Sequence, residues 1–554
     1  MSIVTRLDRL ALGAGSKRKT ATAAASRAPL DRLTPFGWRG GVAVTLLLSL
    51  VSFIAVGYFT VYWRNADMDF MVIYNALAMN DGGAQAFFDH PAYLTILSVK
   101  TWFAQLHRAG LLDAWTLSAI PSAADRAAFA AAMTSAVHAG RVAALLTASG
   151  IILAFAVLAR RLVADWRIAM LAVVAFAFSG GVQMHLRILR SEMIAASFCV
   201  LALMLLIVAA RRASLARPLA VGCAAILCML GLTNKVHAIL LIAAIPVLVL
   251  PFGSAASASV AFWRTQRAWT AVLIAVVAAL AAAISAWPLI AAGFDPANAT
   301  AAGLKPLLLG RFGIYQLALL GVFATCMVAF AKLWRVSAVE TLAAMLAAAA
   351  GAAIGLLALQ LSYDINDVVV VLNPLEKMIT YVDAPQDAGS LGGAIGLLLS
   401  GLVGVIRRYT FVLQSSARPT VFLTWLVIPG IVIAWRRGER QVALQATLLL
   451  LAAIGIDTLG VRRGLKVEYF VFTDPLIILA GMILLDRLAD LSLSRFAYPI
   501  GVTLLVLHVG ISQAEPVKMA LKRKGPEDVC EWNNYYMPRL PLPWCAPPNS
   551  PPRT

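Results

Sequence analysis

Charged side chains are scarce in this 554-residue chain, at 13% of the total, whereas 61% of residues are hydrophobic. A domain solvated by water needs a larger polar shell than that, so the shortage excludes an ordinary soluble protein and makes lipid the main solvent. Acidic residues are the scarcer kind, 27 against 46 Lys and Arg, for a net charge of +19. A nucleic-acid binder gathers such an excess on one soluble face. Here the bases are scattered between apolar runs, at Arg160/Arg161/Arg167, Arg211/Arg212/Arg217, Arg264/Arg267, Lys332/Arg335 and Arg436/Arg437/Arg440. That is the pattern of cytoplasmic loops in a membrane protein, and no nucleic-acid partner is expected. Cysteine is rare too, with six in all. Cys199, Cys223, Cys228 and Cys326 lie in apolar runs, where Cys behaves as a small hydrophobe, and show no metal-ligand spacing. Cys530 and Cys545 bracket a Pro- and aromatic-rich tail, and a disulfide is expected there if the tail is exported. No internal repeat is visible, which counts against a transporter built from inverted halves.

Residues 1–35 carry Arg6, Arg9, Lys17, Arg18, Lys19, Arg27 and Arg32 but no apolar core and no small-residue cleavage site. They read as a cytoplasmic basic tail rather than a removable signal. Apolar runs long enough for a ~30 Å hydrocarbon layer then recur at 41–63, 139–159, 168–182, 192–210, 218–233, 236–252, 268–292, 312–333, 338–361, 420–435, 441–459, 470–486 and 496–513. The expected fold is all-α, a polytopic bundle of about thirteen spans. A basic N-terminus inside puts the Arg-rich turns in the cytoplasm, with a long first external loop at 64–138 and a second at 362–419. One transmembrane domain over 36–513 and an external tail at 514–554 complete the organisation. The apolar, Gly-rich stretch 391–406 is expected to be interfacial or re-entrant, because counting it as a crossing would place Arg436, Arg437 and Arg440 outside.

Candidate chemistry gathers at the external ends of these runs. The first loop opens with Asp67 and Asp69, placed at the membrane surface at the start of a helix near Met68 and flanked by Arg64. A carboxylate there can take a proton from a hydroxyl or coordinate a cation, or simply cap the helix. His185, Arg187, Arg190 and Glu192 occupy a short turn between apolar runs, where polar groups are expensive unless they face a cavity. Thr233, Asn234, Lys235 and His237 form another such turn, and a lysine at that depth calls for an anion such as a phosphate. Arg462, Arg463, Lys466, Glu468 and Tyr469 precede a late span on the side where the positive-inside rule disfavours bases. Guanidinium groups there suit a lipid phosphate.

The order Asp69-Phe70-x-Val72-x-Tyr74-x-Ala76, a break at Asp81-Gly82-Gly83 and then His90-Pro91 resembles the first external loop of GT-C glycosyltransferases. These membrane enzymes, including protein mannosyltransferases, aminoarabinose transferases and mycobacterial arabinosyltransferases, take sugars from polyprenyl-phosphate carriers. The resemblance implies Asp69 as base or acceptor-positioning residue, with Asp67 second and Glu192 assisting. It further implies His90, Arg190, Lys235, His237, Arg462, Arg463, Lys466 and Tyr469 as substrate contacts. A polyprenyl-phosphate sugar would be donor, a glycan, lipid or protein the acceptor, and the bacterial inner membrane the location, with the C-terminus periplasmic. Asp-Met-Asp stands where the mannosyltransferase branch has Asp-Glu, so the sugar stays open, and so does a divalent cation at Asp67-x-Asp69. The alternatives are an O-antigen-type polymerase or ligase, whose large loop usually comes late, and a secondary transporter of a lipid or sugar.

Overall fold

The computed structural model describes residues 37–85, 91–211, 216–253, 262–304, 314–362, 365–380, 391–410, 421–460, 467–489, 494–521, 530, 533 and 537–545. Among these residues every regular element is helical and there is no strand. Eight helices among the described residues are long and apolar enough to cross a membrane: Trp38–Tyr58, Arg126–Leu162, Glu192–Ala210, Arg217–Asn234, Gln266–Phe294, Ala338–Leu361, Arg440–Leu459 and Phe496–Lys518. Four more apolar helices, Trp166–Ala177, Ala238–Phe252, Leu320–Leu333 and Leu423–Arg436, are shorter. The chain is accordingly an integral membrane protein.

Helix α1 (Trp38–Phe53) runs on as a π-helical turn, Ile54–Tyr58. The stretch expected as a first loop is itself folded. It contains α2 (Ala66–Asn80), α3 (Tyr93–Arg108) and the start of α4 (Arg126–Leu162), which Asp125 caps through the Ala128 N–H. At ~1.5 Å per residue α4 is roughly 55 Å long, well beyond a hydrocarbon layer. Its first turns bury Phe129, Met133 and Val137 in a small core with α2, α3 and residues 537–542 of the tail. Its later turns bury Ala148, Ile152 and Phe155 in the main bundle. One helix thus belongs to two cores and joins them rigidly.

The run read as a single span at 168–182 is broken. Helix α5 (Trp166–Ala177) stops, Ser179 caps a new turn by accepting from the Val182 N–H, and α6 (Gly180–His185) changes the chain's course. Helices α7 (Glu192–Ala210), α8 (Arg217–Asn234) and α9 (Ala238–Val249) follow, then the longer α10 (Gln266–Phe294) and the short α11 (Pro296–Ala301). Along α10, Trp269, Leu273, Val277, Leu280, Ile284 and Trp287 are all exposed at three- and four-residue steps. Such a stripe is stable in lipid and would be an aggregation surface in water.

Beyond α12 (Ile314–Leu333), α13 (Ala338–Leu357) packs closely on α8 through small residues. A Cβ on Gly351 would lie 2.3 Å from the Gly222 carbonyl oxygen, so only glycine allows the backbones this close. Without a hydrophobic drive in lipid, such close packing is a main source of helix association. In the expected second loop, α14 (Ile365–Leu372) and α15 (Pro374–Thr380) are followed by α16 (Leu391–Thr410). The stretch expected to be an interfacial or re-entrant helix lies within one continuous helix. It packs on α18, and it is not among the eight long apolar spans. The last elements are α17 (Val421–Arg436), α18 (Arg440–Gly460), a 3₁₀ turn at Val467–Phe472, α19 (Asp474–Ala489) and α20 (Ser494–Leu521).

Candidate functional site

Four breaks in the helical pattern converge at one end of the bundle. The first is the end of α6 and the start of α7, carrying His185, Arg190, Ser191 and Glu192. The second is the turn from α8 to α9, with Asn234, Lys235 and His237. The third is the 3₁₀ turn with Glu468 and Tyr469, and the fourth is the start of α3. Glycines set the approach. A Cβ on Gly231 would meet the Ala195 carbonyl oxygen at 2.9 Å, and one on Gly181 would meet the Val471 backbone nitrogen at 2.7 Å. The first draws α8 against α7 just below Lys235, and the second draws the 3₁₀ turn against α6.

Glu192 is the hub. Its Oε1 accepts from Lys235 Nζ at 2.6 Å and from Arg190 Nη2 at 3.1 Å. Its Oε2 accepts from Arg190 Nε at 3.3 Å and Ser191 Oγ at 3.5 Å, with His185 Nε2 at 3.8 Å. His185 Nδ1 pairs with the Gly181 carbonyl at 2.6 Å, which turns Nε2 towards Glu192. As the first residue of α7, the carboxylate also sits where the helix dipole favours negative charge. Arg190 Nη2 reaches a second carboxylate, Glu468 Oε1, at 3.7 Å. Burial opposes charge on Arg190, but Glu192 and Glu468 outweigh it and hold its pKa above the ordinary value.

Aromatic rings form one wall. His237 stacks on Tyr469 with centroids 4.9 Å apart, and Lys235 Nζ lies 5.5 Å from the Tyr469 ring centroid. Arg190 and Tyr469 are only partly buried, so the cluster has an opening on their side. Below Lys235 and His237 lies an apolar cavity of about 660 Å³ between α8, α9, α12 and α13, lined by Leu232, Ile239, Met229, Phe323 and Met345 among others. Leu232 and Ile239 flank the Lys235 turn in sequence, so the polar cluster and the apolar cavity adjoin.

The start of α3 is tied to the same cluster. Ala92 has a left-handed φ of 50° and donates its N–H to the Asn234 carbonyl oxygen at 3.0 Å. Asn234 Nδ2 donates to the Ser191 carbonyl oxygen at 2.5 Å, and its Oδ1 accepts from the Thr95 N–H at 3.0 Å.

Asp69, expected at the membrane surface, has its own set of partners. It is fully buried, and its Oδ2 accepts from Arg141 Nε and Nη2, both at 3.1 Å. Its Oδ1 accepts from the Leu189 N–H at 3.1 Å, and Arg141 also donates to the carbonyl of Thr60. The first-loop acid thus has Arg141 on α4 as an ion-pair partner. Arg141 is a lone cation inside an apolar run, and a charge in such a run signals a buried partner, but its sequence neighbourhood does not say which.

Of the residues expected at the site, the structure brings together Arg190, Glu192, Lys235, His237 and Tyr469. His90, Arg462, Arg463, Lys466 and the side chain of Asp67 lie outside the described residues. Among the described residues no group of three or more His, Cys, Asp and Glu side chains is arranged to hold a metal ion. Cys530 and Cys545 form a disulfide. No family model matches the chain, and neither does any curated protein or solved structure.

Proposed function

We propose that the chain is a membrane glycosyltransferase that moves a sugar from a polyprenyl-phosphate donor to an acceptor at the external membrane face. One observation carries the reading: a cluster with two buried or half-buried cations, Arg190 and Lys235, lies about one helical turn from the lining of an apolar cavity of about 660 Å³. A ligand fitting both has an anionic head and a long hydrocarbon tail. In this reading Arg190 and Lys235 hold the donor phosphate by charge-assisted hydrogen bonds. Glu192 keeps the two cations in place between turnovers. The His237–Tyr469 stack offers a flat apolar face to the sugar, and Arg462, Arg463 and Lys466 add phosphate contacts from the neighbouring segment. Asp69 is assigned to anchoring α2 on α4, since both its oxygens are engaged. Phosphate is a competent leaving group, so positioning and charge stabilisation supply much of the catalysis.

The topology belongs to the same proposal: about thirteen spans, an internal N-terminus, and the α2–α3 body and C-terminal tail outside. The polar groups of the cluster collect at helix ends, which suits chemistry on a lipid headgroup better than passage through the bilayer. The reading is tested by incubating the reconstituted full chain with radiolabelled undecaprenyl- and decaprenyl-phosphate hexoses and pentoses and a cell-envelope extract as acceptor. Label should pass from at least one donor to the acceptor, and Lys235→Met should weaken donor binding about tenfold or more, the effect of one lost charge-assisted contact. A protein that consumes none of these donors is not a transferase of this class.

A further inference from the structure

Among the described residues, Asp69, Glu192 and Glu468 are buried carboxylates in or beside this cluster, and their surroundings differ in one respect. Asp69 has both oxygens engaged, by Arg141 and by the Leu189 N–H. Glu192 has both engaged, by Lys235, Arg190 and Ser191. Glu468 does not. Its Oε1 lies 3.7 Å from Arg190, beyond hydrogen-bond length, and its Oε2 has no hydrogen-bond partner among the described residues, although the residue is only 4% exposed. A buried carboxylate oxygen stripped of water and given no donor is unfavourable, and such a group in a native protein calls for an explanation. A substrate hydroxyl is a donor that would supply one.

We infer that Glu468 is the proton acceptor of the transfer, its Oε2 taking the hydroxyl proton of the incoming acceptor. The inference rests on the transferase reading above. The acceptor oxygen attacks the anomeric carbon as the bond from that carbon to the phosphate oxygen breaks, and the electron pair of the broken bond leaves on the polyprenyl phosphate. The acceptor proton passes to Glu468. Leaving phosphate gains one negative charge while Glu468 loses one, so the summed charge of the site is constant. In a buried site that constancy removes a large electrostatic penalty. Arg190 links the two ends of the step. It stands between Glu192 and Glu468, and once Glu468 is neutral its charge is shared with one carboxylate fewer and strengthens its hold on the leaving phosphate. The packing of Gly181 on Val471 and the stack of Tyr469 on His237 fix the turn that carries Glu468.

Glu468→Gln keeps the length of the side chain and a contact for Arg190 but cannot take a proton. In the reconstituted full chain, with the donor panel above, kcat should fall by about a hundredfold or more. Binding of undecaprenyl phosphate, read by displacement of labelled lipid, should stay within about threefold of wild type, because a lost proton acceptor leaves ground-state contacts in place. Glu468→Asp, which retains a carboxylate, should turn over about tenfold faster than Glu468→Gln. A Glu468→Gln protein with more than a hundredth of wild-type kcat overturns the inference. So does equal loss in both variants together with weakened lipid binding, which marks a structural role. Abolished turnover in Asp67→Asn, with Glu468→Gln active, would move the base to the first loop. A wild type that consumes no donor overturns the parent reading, and this inference with it.

Discussion

Thr95 and Asn234, 139 positions apart in the chain, are joined by the Thr95 N–H donating to Asn234 Oδ1 at 3.0 Å and by Asn234 Nδ2 donating to Thr95 Oγ1 at 3.0 Å. Because Asn234 also donates to the Ser191 carbonyl, one side chain fastens α3, α7 and the Lys235 turn together. Replacing it by Leu leaves several buried polar groups without partners. Asn234→Leu should cost about 1–3 kcal/mol of stability, read by denaturant titration in detergent. It should also lower lipid-phosphate affinity through misplacement of Lys235. Unchanged stability would show that the tie is dispensable.

The Asp69–Arg141 pair gives a sharper test, because both side chains are fully buried. Arg141→Met strands a buried carboxylate and should cost about 3–5 kcal/mol. Asp69→Asn combined with Arg141→Met should recover at least half of that, since the uncompensated charge is gone. If Arg141→Met is as stable as wild type, Asp69 is not an anchor and its catalytic role returns to the fore.

Gly181 is predicted to control the site without touching a substrate. Gly181→Val places its Cβ against the Val471 backbone nitrogen and should push the Val467–Phe472 turn away from α6, at a cost of about 1–3 kcal/mol. Turnover should fall with it. Gly150→Ala is the control: it lies in α4 with nothing within 4 Å of an added Cβ, and should be neutral or stabilising by up to about 1 kcal/mol. Thermal melts and donor turnover on the two variants separate steric from general helix effects.

Much of the bundle is legible in the sequence because lipid tolerates few ways of satisfying a backbone. Long apolar runs such as Gln266–Phe294 can hardly be anything but helices. The same logic singles out Arg190, Glu192, Lys235, His237 and Tyr469, since charge among apolar runs is too costly to be incidental. Which charge meets which is another matter. Asp69 faces Arg141, 72 positions away, and Arg190 faces Glu468, and no local pattern encodes either pairing. The break between α5 and α6 was also hidden, because Ser179-Gly180-Gly181 sits in a run apolar enough to pass for one span. The body formed by α2, α3 and the start of α4 reads as a loop in the sequence because its partner segment lies at the far end of the chain.

That partner segment makes the fourth prediction. Trp544 lies 6.2 Å from both Tyr62 and Phe70 by ring centroid, beside Cys545 of the disulfide. Trp544→Ala should destabilise the small body by about 2 kcal/mol, a half-buried aromatic being worth less than a fully buried one. The readout is faster proteolysis within 64–125, with the main bundle intact. Equal protease resistance would show that the tail only rests on the body.

The core that holds Phe70 and Phe103 is closed by Met537, Leu540 and Leu542. During synthesis the α2–α3 body therefore emerges hundreds of residues before the segment that finishes its interior. Throughout that interval its apolar face is uncovered, and at chain elongation of ~5–20 residues per second the wait lasts tens of seconds. Helices α2 and α3 can form early, but the body reaches its final packing only after the last span is in the membrane. Assembly of the site end of the molecule is thereby timed by completion of the chain rather than by its beginning.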